Sequence, residues 1–214
     1  PNSADFDAAV YVAAGDGVSF LVTERGNVYG WGTNRSGKLG IGRLPANVPM
    51  VSEPTLVVSR DGISPLRGAL SISTEGDNTY IITQNPDGKT SILAFGEKFA
   101  GTEPVEITAV MNAVELSGKY VRTSNGDVWQ INAEPRHASQ ILGFVDNNND
   151  RIAINKIAAG NEHLLALDAE GNVWAMGENS HGQMGVLQSD GTPVASSTTP
   201  QRVVNVAING GMLT

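Results

Sequence analysis

One punctuated pattern occurs four times along this chain, and a repeat of this kind restricts the fold more than any single residue does. The first copy runs Val12-Ala13-Ala14-Gly15, Ser19-Phe20-Leu21-Val22-Thr23 and Arg25-Gly26-Asn27-Val28-Tyr29-Gly30-Trp31-Gly32, and closes on Asn34, Gly37, Leu39-Gly40 and Gly42. The fourth runs Ile157-Ala158-Ala159-Gly160, His163-Leu164-Leu165-Ala166-Leu167 and Glu170-Gly171-Asn172-Val173-Trp174-Ala175-Met176-Gly177, and closes on Asn179, Gly182 and Met184-Gly185. A unit this short cannot bury its own apolar face and must stack on neighbours. Stacked arrays more often present binding surfaces than catalytic centres.

Within each copy the apolar pattern is that of strands. Short runs rich in β-branched and aromatic residues flank a glycine that supplies the positive φ of a hairpin turn. Gly26, Gly88, Gly126 and Gly171 are those glycines. The copies can be phased on Gly15, Gly76, Gly118 and Gly160, which lie 61, 42 and 42 residues apart. A fifth opening appears at Val206-Ala207-Ile208-Asn209-Gly210. Proline-led segments at Glu53–Val58, Glu103–Ile107 and Thr199–Val204 read as outer strands that begin at the proline, where no ladder donor is lost. Four short strands per unit of this length predict an all-β fold of β-propeller blades. The reading is a single, partial propeller over residues 1–214, with repeats at 7–58, 69–107, 113–145 and 152–204 and the start of another at 205–214. The stretches 43–50 and 188–198 are expected to be loops.

The assembled motif is Ala-Ala-Gly, a hydrophobic strand, Gly-Asn-Val-aromatic-x-Trp/Met-Gly, then x-Asn-x-x-Gly-Lys/Gln-Leu/Met-Gly. It resembles the repeat of the regulator-of-chromosome-condensation family. The likeness is full in the first and fourth copies. The second keeps Ile92-Leu93-Ala94-Phe95-Gly96 but has a reduced tail, Lys98-Phe99-Ala100-Gly101. The third keeps Asn125-Gly126-Asp127-Val128-Trp129, with Asn132 in the place of a glycine. The resemblance implies a β-propeller, usually of seven blades, so four copies and an opening predict part of a larger ring. It implies that Trp31, Phe95, Trp129 and Met176 occupy equivalent places between blades, that Asn34 and Asn179 bond loop backbone, and that His163, where the first copy has Val18, is a buried structural histidine.

Composition narrows the function. The formal net charge of −8 opposes a general role on DNA, RNA or anionic membranes. Arg25, Arg35, Lys38 and Arg43 in the first copy form at most a local basic rim. The absence of cysteine excludes disulfides, cysteine-ligated zinc and thiol catalysis, and is compatible with a cytoplasmic, secreted or virion-associated protein. No apolar run approaches the ~20 residues of a membrane helix. No secretory leader is visible, which fits a chain without one or one already processed. The histidines are His137, His163 and His181, with no His-x-x-x-His pair, no Gly-x-Ser-x-Gly elbow and no phosphate loop. Asp146-Asn147-Asn148-Asn149-Asp150 opens like a calcium loop, but Arg151 replaces its glycine and Ile157 its closing glutamate, so it reads as a polar turn. Asn34-Arg35-Ser36 is a formal glycosylation sequon inside the repeat's own turn.

The expectation is therefore a non-enzymatic scaffold that binds a protein partner, with no cofactor or metal and no affinity for nucleic acid or membrane. The partners would include the remaining blades of a longer chain or other assembly subunits. The weakly marked partner rim comprises Arg35, Lys38, Lys98, Ser180 and His181. Two alternatives remain open: a structural domain of a virion, appendage or toxin assembly, and a guanine-nucleotide exchange factor or enzyme inhibitor. A photoreceptor role, also implied within the family, is disfavoured because Trp31, Trp129 and Trp174 all occupy repeat core positions.

Overall fold

A computed structural model describes residues 7–99, 101–132 and 137–203. Among them, the chain forms four four-stranded antiparallel sheets, each a meander in chain order. The first holds β1 (Ala9–Gly15), β2 (Val18–Thr23), β3 (Val28–Thr33) and β4 (Met50–Leu56); the second holds β5 (Ala69–Glu75), β6 (Asn78–Gln84), β7 (Thr90–Gly96) and β8 (Gly101–Ile107). The third holds β9 (Ala113–Ser117), β10 (Tyr120–Thr123), β11 (Val128–Ile131) and β12 (Ala138–Gln140); the fourth holds β13 (Ile154–Ala159), β14 (His163–Asp168), β15 (Val173–Gly177) and β16 (Ser197–Arg202). Each sheet falls inside one repeat interval. The expected fifth opening at 205–214 lies outside the described residues.

The chain divides into two compact units, Pro1–Ser124 with Trp129–Ser139, and Asn125–Val128 with Gln140–Thr214. In the first unit the core lies in two seams. One joins the first two sheets through Phe20, Val22, Val28, Leu39 and Val57 against Ile72, Ile81, Leu93 and Phe95. The other packs Tyr80, Ile82, Ile92 and Phe99 against Ala113, Leu116, Val121 and Ile131. Each fully buried side chain of this size contributes roughly 1.5–3 kcal/mol. In the second unit, Ala175, Met184 and Val186 form a smaller cluster with Leu165, Val194 and Val203. There Phe144 also meets Trp174 edge-to-face, with ring centroids 6.1 Å apart.

The four hairpin glycines take positive φ as expected: 77° at Gly26, 83° at Gly88, 82° at Gly126 and 85° at Gly171. Three other readings are corrected by the register. Gly76 and Gly118 are not the equivalents of Gly15. Gly15 pairs with Val18, Glu75 with Asn78 and Ser117 with Tyr120, so Glu75 and Ser117 end their strands and each glycine opens the turn after it. Trp129 is not the equivalent of Phe95. Its place on β11 matches Tyr29, Leu93 and Trp174, and Ile131, 1% exposed, fills the place before Asn132.

The third correction concerns proline. The fourth strands begin before Pro54, Pro104 and Pro200, not at them. Gly30 pairs with Thr55 and Gly32 with Val51, so three residues ending in Pro54 face the single Trp31. The same bulge sets the residues up to Pro104 against Phe95, and those up to Pro200 against Met176. A bulge removes the ladder bond that a proline could not donate, so the ring is accommodated inside the strand.

Candidate functional site

The loops between the third and fourth strands carry the expected rim, and the repeat's own chemistry decides which of their side chains reach solvent. Asn34 is fully buried. Its amide donates to the carbonyls of Val48 (3.0 Å) and Arg43 (3.4 Å), and its oxygen accepts from the Leu39 N–H (3.3 Å). Asn179 repeats this with the Val194 carbonyl (2.5 Å) and the Met184 N–H (2.8 Å). One side chain thus closes each loop on itself, which also removes Asn34 from reach of glycosylation.

Lys38 is not on the rim. It is 1% exposed, and its ammonium donates to the carbonyls of Asp16 (2.7 Å) and Gly76 (3.2 Å) while pairing with Asp77 at 3.0 Å. It is a clamp between the first and second sheets, because its stem crosses the seam to reach a main-chain carbonyl in the turn of each. Lys98 is half withdrawn: its ammonium lies 2.8 Å from Glu75, which also holds Lys119 at 2.9 Å. Arg35, Ser180 and His181 are exposed, Arg35 in the first unit and the other two in the second. Ser180 Oγ lies 2.9 Å from His181 Nδ1, and the Glu178 carboxylate accepts from the Ser180 N–H at 2.8 Å. A serine and histidine adjacent in sequence and open to water, with no acid on the far ring nitrogen among the described residues, lack the arrangement of a nucleophile and its base.

The Glu75 cluster makes a pH prediction. Burial would raise this carboxyl's pKa. Hydrogen bonds from Lys98 and Lys119, together with their charges, outweigh burial and hold it below its ordinary 4.5. A depressed carboxylate stabilises the fold above its unfolded-state pKa, and the contribution fades as pH falls through the folded-state value. Glu75→Gln should therefore cost about 1–2 kcal/mol at pH 7. Its difference from the wild type should shrink as pH drops below 4.5, in urea titrations run at successive pH values. Burial, and after it the same carboxylate, raise the pKa of Tyr80, whose hydroxyl points to Glu75 at 3.4 Å.

In the second unit Asp168 organises a turn that the sequence did not single out. Its carboxylate accepts from the N–H groups of Glu170 (2.9 Å) and Asn172 (2.8 Å), the Asn172 amide (2.9 Å) and the Trp174 indole (3.1 Å). Burial opposes its ionisation, yet these donors lower its pKa. The signal was the aspartate standing where the other copies have Thr23, Thr83 and Thr123. His163 departs from the expected role. It is half-buried, its ring lies over Gly160, and it forms no ring hydrogen bond among the described residues. The 146–150 stretch is a turn: Asp146 Oδ1 accepts from the N–H groups of Asn148 (2.8 Å) and Asp150 (2.9 Å). Among the described residues no three histidines or carboxylates gather as a metal site, and no helix is long and apolar enough to cross a membrane.

A family model, the Regulator of chromosome condensation (RCC1) repeat, matches residues 9–38 and 154–183, the first and fourth copies. These two copies are RCC1 repeats. It is 28% identical over 159 residues to an RCC1 domain-containing protein of Dictyostelium discoideum, covering 74% of this chain and 29% of that protein. It is 26% identical over 205 residues to the human X-linked retinitis pigmentosa GTPase regulator, covering 92% of this chain and 15% of that one. Human WBSCR16 superposes with a TM-score of 0.71 at 22% identity, covering 94% of this chain and 55% of that structure. Prp20p of Saccharomyces cerevisiae, whose structure was described with its binding properties to Gsp1p and histones, gives a TM-score of 0.67 at 16% identity, covering 94% and 52%. The RCC1-repeat chain thus spans less than a third of these relatives and about half of these structures. The structural likeness is one of fold, and it identifies the four sheets as propeller blades. The RCC1 match falls on the copies whose loops are closed by Asn34 and Asn179.

Proposed function

We propose that this chain is a non-enzymatic protein-interaction scaffold. The observation that carries this reading is the way the repeat's polar residues are used. Asn34, Lys38, Asn179 and Asp168 are all turned inward, each committed to the fold's own groups. What remains for function in each unit is its own exposed loop surface, which suits recognition of another protein. Prp20p, a neighbour in fold, is described with binding properties to a protein, Gsp1p, and to histones; that supports a protein partner here without naming it.

The test is saturable binding. A partner obtained by cross-linking and then purified should bind the chain in a fixed ratio by calorimetry. Arg35→Glu or His181→Glu should weaken that binding without changing the circular dichroism spectrum. A parallel assay follows release of fluorescent GDP from a loaded small GTPase. Acceleration at catalytic amounts of the chain would replace the scaffold reading with exchange activity.

A further inference from the structure

Between the first and second blades of the first unit, the chain builds a hairpin that the repeat does not require. Ser59 N–H donates to the Ser64 carbonyl at 2.7 Å, Val58 bridges Pro65, and Leu66 N–H closes on the Val57 carbonyl at 2.8 Å. Asp61 fills the inside of the loop. It accepts from the N–H groups of Ile63 (2.9 Å) and Ser64 (2.8 Å) and from the hydroxyls of Ser59 (2.8 Å) and Ser64 (2.5 Å). This tightly bonded loop leaves Ile63 84% exposed. The hairpin at 145–151 is one residue shorter, is capped from its first position by Asp146, and turns on Asn147, Asn148 and Asn149. Ile63 is the residue by which the 59–64 loop exceeds the shorter one, and it makes no contact that closes the turn beyond its N–H to Asp61.

Beside the hairpin lies a solvent-open cleft of about 530 Å³, lined by Arg60, Arg67, Gln84, Asn85 and Glu106 over Leu66 and Leu93. Arg60 is paired with Glu106, and Glu106 also accepts from Ser91 at 2.9 Å. Among the described residues Arg67 pairs with no carboxylate. Among the described residues its guanidinium makes one long hydrogen bond, 3.4 Å to the Arg25 carbonyl. The nearby acid of the hairpin, Asp61, is occupied by its own loop.

We propose that this cleft binds an acidic, extended segment of a partner protein. A carboxylate of the segment meets Arg67, the amides of Gln84 and Asn85 serve its main chain, and an apolar side chain rests on Ile63. Guanidinium groups hold carboxylates in paired hydrogen bonds. A pre-ordered, exposed isoleucine loses little freedom on binding. A nucleic acid fits poorly, because the cleft lining includes no aromatic ring on which a base could stack. The inference rests on the scaffold reading and assigns it a surface.

The probe is a fluorescein-labelled peptide alternating glutamate and leucine, titrated with the full chain and followed by anisotropy. Saturable binding is expected, weakened about tenfold by Arg67→Glu and unchanged by Arg43→Glu, an exposed arginine outside the cleft. Ile63→Ser should weaken this peptide but not hexaglutamate. Equal affinity of wild type and Arg67→Glu for the peptide would overturn the proposal. So would equal binding of a lysine–leucine peptide, or tighter binding of a thymidine oligonucleotide that competes for the site. Arg67 is exposed, so its replacement should leave thermal unfolding unchanged. Wild type and Arg67→Glu are also compared against the purified cross-linked partner. Equal binding there would reject the cleft while leaving the scaffold intact, whereas no binding by either would reject the scaffold.

Discussion

Lys38→Met should lower the stability of the first unit by about 3 kcal/mol, seen as a shift of the urea midpoint at pH 7. Removing one partner of a buried ion pair costs roughly 3–5 kcal/mol because the other partner is left uncompensated. Here the side-chain exposures are 2% for Lys38 and 23% for Asp77, so water recovers part of the aspartate's loss and the lower end applies. The carbonyls of Asp16 and Gly76 lose their donor as well. Lys38→Met combined with Asp77→Asn should recover about 1 kcal/mol, since the orphaned charge is gone while the ammonium's bonds to the two carbonyls are still lost. A single-mutant loss below about 1 kcal/mol would show that water enters the seam and that the apolar contacts of Phe20, Leu39 and Phe95 hold the two blades unaided.

Gly96→Ala should be comparably severe, at about 3 kcal/mol or more. Gly96 has φ of 119°, and an added Cβ would press on the Asp77 carbonyl and lie 2.8 Å from the Asn78 Cα, both main-chain atoms with nowhere to go. Conformational strain and overlap add at this site. Gly88→Ala isolates the first contribution. Its φ is 83°, and a Cβ there meets nothing within 4 Å, so about 1 kcal/mol is expected. Thermal unfolding of the two variants in parallel separates strain from collision. Equal losses would mean that the β6–β7 pair relaxes around the new methyl.

The blades were legible in the sequence because their information is local. A glycine at each hairpin turn, flanked by alternating apolar strands, specifies the antiparallel pair almost by itself, and all four glycines adopt the required φ. The one-residue error at Gly76 and Gly118 arose because a glycine can end a strand or begin the turn after it, and only the paired register tells these apart. Lys38 was misplaced for a different reason. A lysine in a polar loop reads as a surface residue unless its acceptors are known, and they come from turns 22 and 38 residues away. Asp61 and Ile63 were passed over because they belong to no repeat position. Lys98 carried an equally incomplete signal, since its counter-ion Glu75 lies on a different strand.

The prolines set into the outer strands carry a consequence for how such sheets meet other protein. A free strand edge is a template for recruiting another strand, through the rows of N–H and C=O groups it presents. On β4, β8 and β16 the bulge beside the proline bends that row out of regular spacing. An incoming strand would find its register broken after a few bonds. Contact along these edges must therefore proceed through side chains, and the protein resists fusing edge-to-edge with copies of itself at the strands otherwise most open to it.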